Sequence, residues 1–179
     1  MGHSVTSMRS GVLAVVFLAV VAVPARSQRT TTDHLDVISS VTNEVVTPGS
    51  RFSIVLDIRP REGVHVYAPG ATGYKIVAFN LAANSLLVSR PTVYPASEIY
   101  FFEPLNERVP VYQKPFRLTR NLAISTAPEH RAAVSRLKTM TIRGTLDYQA
   151  CDDRACFTPK SIPVSVDVVI RPPDTKRTR

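Results

Sequence analysis

The chain has 179 residues, 22 Lys and Arg against 14 Asp and Glu, a net charge of +8, 44% hydrophobic residues and two cysteines. That length suits one domain able to bury a core of its own, so disulfides are not needed to replace a missing interior. The bases are scattered rather than clustered with aromatics, which excludes a nucleic-acid-binding face and leaves solubility or weak affinity for anionic surfaces as their role.

In chain order, Arg9 precedes an uncharged apolar stretch over residues 11–23, and small residues follow at Ala25 and Ser27. This is the layout of a secretory signal peptide over residues 1–27, cut after Ala25 or Ser27. The stretch is shorter than the roughly 20 residues that a membrane-crossing helix needs. The protein is therefore expected outside the cytoplasm, in the periplasm or beyond, and soluble once cut.

Residues 28–34 read as a polar lead-in, 35–171 as the folded domain and 172–179 as a basic tail. Fourteen prolines, seven glycines and many β-branched residues point to an all-β domain with frequent turns. Period-2 segments fall at 35–42, 51–59, 64–67, 74–81, 86–88, 115–124, 139–148 and 162–170. Eight short strands with turn signals between them predict an antiparallel sandwich. Phe52, Ile54, Leu56 and Ile58 should form one inner face, and Ile162, Val164, Val166, Val168 and Ile170 another. The one helix expected, over 128–137, would lay Ala132, Ala133 and Leu137 on a sheet edge.

The segment Tyr148-Gln149-Ala150-Cys151-Asp152-Asp153-Arg154-Ala155-Cys156-Phe157-Thr158-Pro159 carries the chemistry. It joins two expected strands, so the cysteines flank a hairpin turn that can bring their Cα atoms into the roughly 4.4–6.8 Å window of a disulfide. One reading is a structural staple in an oxidising compartment. Closing so short a loop stabilises by only about 2 kcal/mol, against about 4–5 for a loop of a hundred residues. A bond that fixes so little is free to break and re-form. Asp152 and Asp153 disfavour a Cys151 thiolate and Arg154 favours it, and no helix N-terminus is present to activate it. Such a pair suits attack by a partner's thiolate better than self-activation. Asp152 and Asp153 themselves read as solvated turn residues. His34, His65 and His130 stand at no recognised ligand spacing with the cysteines, so neither a metal nor another cofactor is implied.

This cysteine segment resembles the redox hairpin in the N-terminal periplasmic domain of DsbD, the membrane thiol:disulfide interchange protein. Val64-His65-Val66-Tyr67 after Gly63, and Tyr94-Pro95-Ala96-Ser97-Glu98-Ile99-Tyr100, resemble two further pieces of that domain in the same order. The resemblance implies an immunoglobulin-like β-sandwich whose Cys151–Cys156 pair takes electrons from the thioredoxin-like domain of a membrane electron transducer and hands them to periplasmic thiol–disulfide proteins. Cys156 would engage those partners. It further implies a cap loop at Thr92, Val93 and Tyr94, just ahead of Glu98, with Val93 where the family has a shielding phenylalanine. His65 and Tyr67 would lie beside the cysteines, His65 stabilising a departing thiolate if protonated, and Tyr67, Tyr148 and Phe157 would shape the pocket. Two departures stand out: no membrane-embedded transporter follows the domain in this chain, and four residues separate the cysteines where some members have five. A stand-alone monomeric module, borrowing both donor and acceptor, is expected. The rivals are a protein-binding sandwich with a structural disulfide and a protein that docks on an envelope surface through its bases.

Overall fold

The computed structural model describes residues 27–103 and 106–172. Residues 1–26 of the leader expected over 1–27, and the tail beyond Pro172, lie outside the described residues.

Alternation builds the first sheet. In β4 (Arg51–Pro60) the residues Phe52, Ile54, Leu56 and Ile58 are buried while their neighbours reach toward water. β4 pairs antiparallel with β2 (Leu35–Val41) on one side and β10 (Phe116–Ile124) on the other. β1 (Gln28–Thr31) and β7 (Leu87–Val93) form the two edges, giving the order β1-β2-β4-β10-β7. The second sheet centres on β11 (Thr139–Tyr148) and β13 (Lys160–Ile170), paired over ten residues each. β6 (Ala78–Leu81) joins β11, and the short β3 (Val45–Val46) lies parallel to β13. Inner faces of the two sheets meet in one core, with Leu56, Leu118, Leu146 and Tyr148 fully buried. The chain is an all-β sandwich.

A third sheet carries the candidate site. Its order is β12-β5-β9-β8, from β12 (Ala150–Cys151), β5 (His65–Tyr67), β9 (Glu107–Tyr112) and β8 (Glu98–Phe102). It packs a small cluster of its own, in which Tyr67, Val109, Val111 and Cys151 are buried.

Several expectations change. Residues 28–31, read as a polar lead-in, form β1: Thr30 and Thr31 suit a pleat, and Arg29 reaches Asp36 of β2 at 3.6 Å. The strand expected over 74–81 is confined to its last four residues, because Gly70 and Gly73 take positive φ and turn the chain before it. The strand expected over 86–88 extends to Val93, its Pro91 tolerated because β7 is an edge. The helical segment forms as a 3-10 turn (Pro128–His130) leading into α1 (Arg131–Arg136), but Val134 is its buried residue. Ala132 and Ala133 face solvent, the larger apolar side chain having taken the inward position.

Candidate functional site

After Tyr148 the chain leaves the long β11–β13 ladder and crosses to the third sheet. Gln149 pins the crossing: its side-chain oxygen accepts from Lys75 N at 3.1 Å and its nitrogen donates to Phe157 O at 3.3 Å. β12 then pairs with β5, setting Cys151 opposite His65 and Ala150 opposite Val66.

Cys151 and Cys156 face each other across a tight antiparallel turn. Asp152 N donates to Ala155 O at 3.0 Å and Phe157 N to Ala150 O at 2.9 Å. The cysteines are therefore a non-hydrogen-bonded pair, the type of ladder position at which opposed side chains come closest. Their Cα atoms are 4.0 Å apart, below the expected window, and their sulfurs are bonded. The turn is closed by Asp152, whose carboxylate accepts from Arg154 N at 2.8 Å and Ala155 N at 2.7 Å. Those two backbone donors hold its carboxyl below the usual carboxylate range. Asp152 is thus an architectural residue of the hairpin as well as a charge, a role signalled by the preference of Asp for the first position of such turns.

The two sulfurs are not equivalent. Cys151 is 1% exposed, at the floor of the site, whereas Cys156 is exposed. Tyr67 stands over both: its Oη lies 3.1 Å from Cys151 Sγ and 3.2 Å from Cys156 Sγ. A disulfide carries no hydrogen, so the phenol is the donor to either sulfur. Tyr74 stacks on Tyr67 at 4.0 Å between centroids, and its own hydroxyl donates to Glu107 Oε2 at 2.6 Å. Burial first, and then the neighbouring Tyr74 and Glu107, push the Tyr67 hydroxyl well above the ordinary tyrosine value. It stays protonated at any ordinary pH.

His65 shares a face with Tyr67 because two residues of strand separate them. Its ring meets Tyr67 edge-on at 5.6 Å and tilts against Tyr100 at 4.6 Å. Burial lowers its pKa, only partly opposed by Asp152, so the imidazole is neutral at neutral pH. Burial thus works against the protonated form through which His65 would stabilise a departing thiolate. A cavity of about 260 Å³ opens above the disulfide, walled by His65, Tyr67, Tyr74, Tyr100 and Phe102.

The remaining expected residues lie elsewhere. Val93 ends β7, exposed and paired with Thr119. Tyr94 is half-buried against the main core, where burial raises its pKa and the charge of Arg120 opposes the rise. Glu98 pairs with Lys114 at 2.9 Å. Tyr148 is fully buried, its hydroxyl 3.0 Å from Thr32 Oγ1, and Phe157 stacks on His34 at 4.3 Å. None of the five lines the cavity. The aromatic wall beside the disulfide comes instead from Tyr100 and Phe102 of β8 and from Tyr74. Tyr100 stood in a segment that carried the resemblance; nothing local marked Phe102, Tyr74 or Glu107. Among the described residues, no three His, Cys, Asp or Glu side chains gather as metal ligands, and no helix is long and apolar enough to cross a membrane.

The fold and site define a β-sandwich domain with one disulfide, half exposed and half buried, beneath an aromatic cavity. By sequence, no family model matches the chain and no curated protein does. By structure, it is similar to the N-terminal periplasmic domain of ScsB from Proteus mirabilis, with a TM-score of 0.52 and 14% identity over 79% of this chain and 49% of that one. The chain thus spans about half the length of that structure, and the likeness concerns the fold. A slighter likeness, TM-score 0.35 at 15% identity, extends over 81% of this chain and 61% of the SrpA adhesin from Streptococcus sanguinis.

Proposed function

We propose that this protein is an exported thiol–disulfide exchange module of the DsbD N-terminal type, relaying two electrons through Cys151 and Cys156. The observation that carries the reading is the unequal exposure of the two sulfurs: Cys156 is open to a partner, and Cys151 is 1% exposed beneath it. A thiolate from a thioredoxin-like donor attacks Cys156 Sγ. The Cys151–Cys156 bond breaks, the bonding pair leaves on Cys151 Sγ, and a mixed disulfide joins donor and Cys156. The donor's second thiolate then attacks its own sulfur in that bond, releasing an oxidised donor and a reduced pair. Cys156 passes the two electrons on by the same steps in reverse, attacking the disulfide of a periplasmic acceptor.

The likeness of fold to a periplasmic domain, the signal-peptide layout and the resemblance of the cysteine hairpin support export and exchange together. So does energetics, since closing a loop this short stabilises by only about 2 kcal/mol and leaves the bond little structural work. Equilibration in graded thiol buffers is the test. A reduction potential well above about −300 mV is expected. A value below it makes the bond a staple and the domain a binding module. Trapping adds a directional outcome: Cys151→Ser leaves Cys156 to hold a thioredoxin-like partner as a mixed disulfide, whereas Cys156→Ser, with only the buried thiol left, yields none.

A further inference from the structure

We infer that Tyr67 is a catalytic residue of this exchange, its phenol serving as a fixed hydrogen-bond donor to the thiolate that leaves when the disulfide opens. The inference rests on the exchange reading and adds to it the group that makes the buried sulfur a competent leaving group.

When a partner thiolate bonds to Cys156 Sγ, one negative charge moves from the partner to Cys151 Sγ. That atom belongs to a residue 1% exposed, packed with Tyr67, Val109 and Val111. A thiolate in such surroundings has lost its water and is disfavoured unless a donor replaces it. The surrounding charges help little, the cation on the cavity wall being the exposed and water-screened Arg154. Asp152 adjoins Cys151 in sequence, and its carboxylate is committed to the backbone N–H groups of Arg154 and Ala155. His65, opposite Cys151 on β5, is kept neutral by burial. Arg154 is exposed and lies 4.0 Å from Asp153.

The Tyr67 hydroxyl is already in place, 3.1 Å from Cys151 Sγ while the disulfide is intact. A donor aimed beforehand at the atom where charge develops stabilises the transition state without reorganising. Its position between the sulfurs, 3.2 Å from Cys156 Sγ, lets one group serve whichever cysteine departs, so both directions of electron flow are assisted alike. The ring is held from two sides, by Tyr74 stacked on it and by His65 against its edge. Tyr74 is held in turn by Glu107. Tyr67 keeps its proton throughout and lends it as a hydrogen bond. The charge on Cys151 is discharged later, by protonation from solvent or by return attack on the mixed disulfide.

The experiment compares wild type with Tyr67→Phe, which keeps the stacked ring and removes only the donor. Two quantities are read: the rate at which dithiothreitol reduces the disulfide, and the Cys151 thiol pKa in a Cys156→Ala background from the pH dependence of iodoacetamide alkylation. The rate is expected to fall about tenfold or more, the change carried by a hydrogen bond to a charged group. The thiol pKa should rise by about one unit, the same tenfold change seen at equilibrium. A wild-type protein that dithiothreitol does not reduce overturns the exchange reading itself. A wild type that is reduced readily, with Tyr67→Phe equal to it in rate and thiol pKa, leaves that reading standing and overturns this inference. Should Tyr67→Phe not fold, 13C-tyrosine labelling of the Cys156→Ala protein decides instead. The Tyr67 Cζ resonance should shift at the pH where Cys151 ionises, and a resonance flat through that range overturns the inference.

Discussion

Asp152 decides whether the two sulfurs face each other. Its carboxylate gathers the N–H groups of Arg154 and Ala155 and so closes the turn between the cysteines. Asn at this position retains an oxygen acceptor and Ala retains none. Asp152→Ala is therefore expected to move the thiol–disulfide equilibrium toward the reduced form, because the open turn no longer brings the sulfurs together. Asp152→Asn should stay near wild type; equilibration of all three proteins in one set of thiol buffers makes the comparison, and equal midpoints would remove Asp152 from the site's architecture. The cysteine hairpin was legible in the sequence because everything that forms it is local. His65 and Tyr67 were legible as a pair by their spacing of two, and the resemblance placed them beside the cysteines. The wall above the disulfide was not. Tyr74, in the loop between β5 and β6, reaches Glu107 of β9 across 33 positions of chain, a meeting that no local pattern encodes. The cap at Thr92, Val93 and Tyr94 was implied by the resemblance alone, through their place just ahead of Glu98. Proximity along the chain to Tyr100 says nothing about the turn of backbone that sends Tyr94 to the main core and Tyr100 to the cavity.

At the level of the strand, β11 holds the second sheet together at a point where a side chain is missing. Gly144 pairs with Val164 of β13 on one side and Leu81 of β6 on the other. A Cβ added there would lie 2.5 Å from Asn80 O and 2.8 Å from the Phe79 ring, and the former is backbone that cannot swing away. Gly144→Ala is therefore expected to lower stability by about 1–3 kcal/mol through overpacking. Leu146→Ala, two residues along and fully buried, should lower it by about 2–5 kcal/mol by leaving a cavity. Urea denaturation measures both, and a Gly144→Ala protein as stable as wild type would mean that β6 yields. The strands that the sequence made legible, β4, β11 and β13, are long ones in which one face meets the core and every second residue is apolar. β8 and β9 carry no such signal. Both sides of β8 are apolar, with Ile99 and Phe101 exposed, and Pro110 interrupts β9. β1 was missed because an edge strand of polar residues is stabilised by its ladder and not by burial.

Across the whole molecule the buried titratable groups bound the pH range of stability. His34 and His65 are both pushed below the ordinary histidine value. Burial is the main cause for each, reinforced at His34 by Lys160, with Asp33 and Asp152 opposing at His34 and Asp152 at His65. In the unfolded chain both take a proton as pH falls through about 6.5. The folded protein resists until a lower pH, so between those values the unfolded state binds more protons and stability falls with falling pH. Asp33, Asp36 and Asp152 are likewise held low, Asp33 by Lys160, Asp36 by Thr31 and the arginines, and Asp152 by backbone donors. They act in the same direction in a second window, below about 3.9. At the alkaline end the sign reverses. The Tyr67 hydroxyl is raised by burial, so the unfolded chain loses that proton near pH 10 while the folded protein keeps it, and stability declines above that point. The melting temperature is therefore expected to be highest from about pH 7 to 10, to step down below about pH 6.5, and to step down again below about pH 4. His65→Gln and His34→Gln assign the first step: each should flatten the slope between about pH 6.5 and 5 and leave the more acidic step in place. A slope unchanged in both variants would mean that neither ring stays buried and neutral, and the packing of His65 against Tyr67 and of His34 against Phe157 would then be wrong.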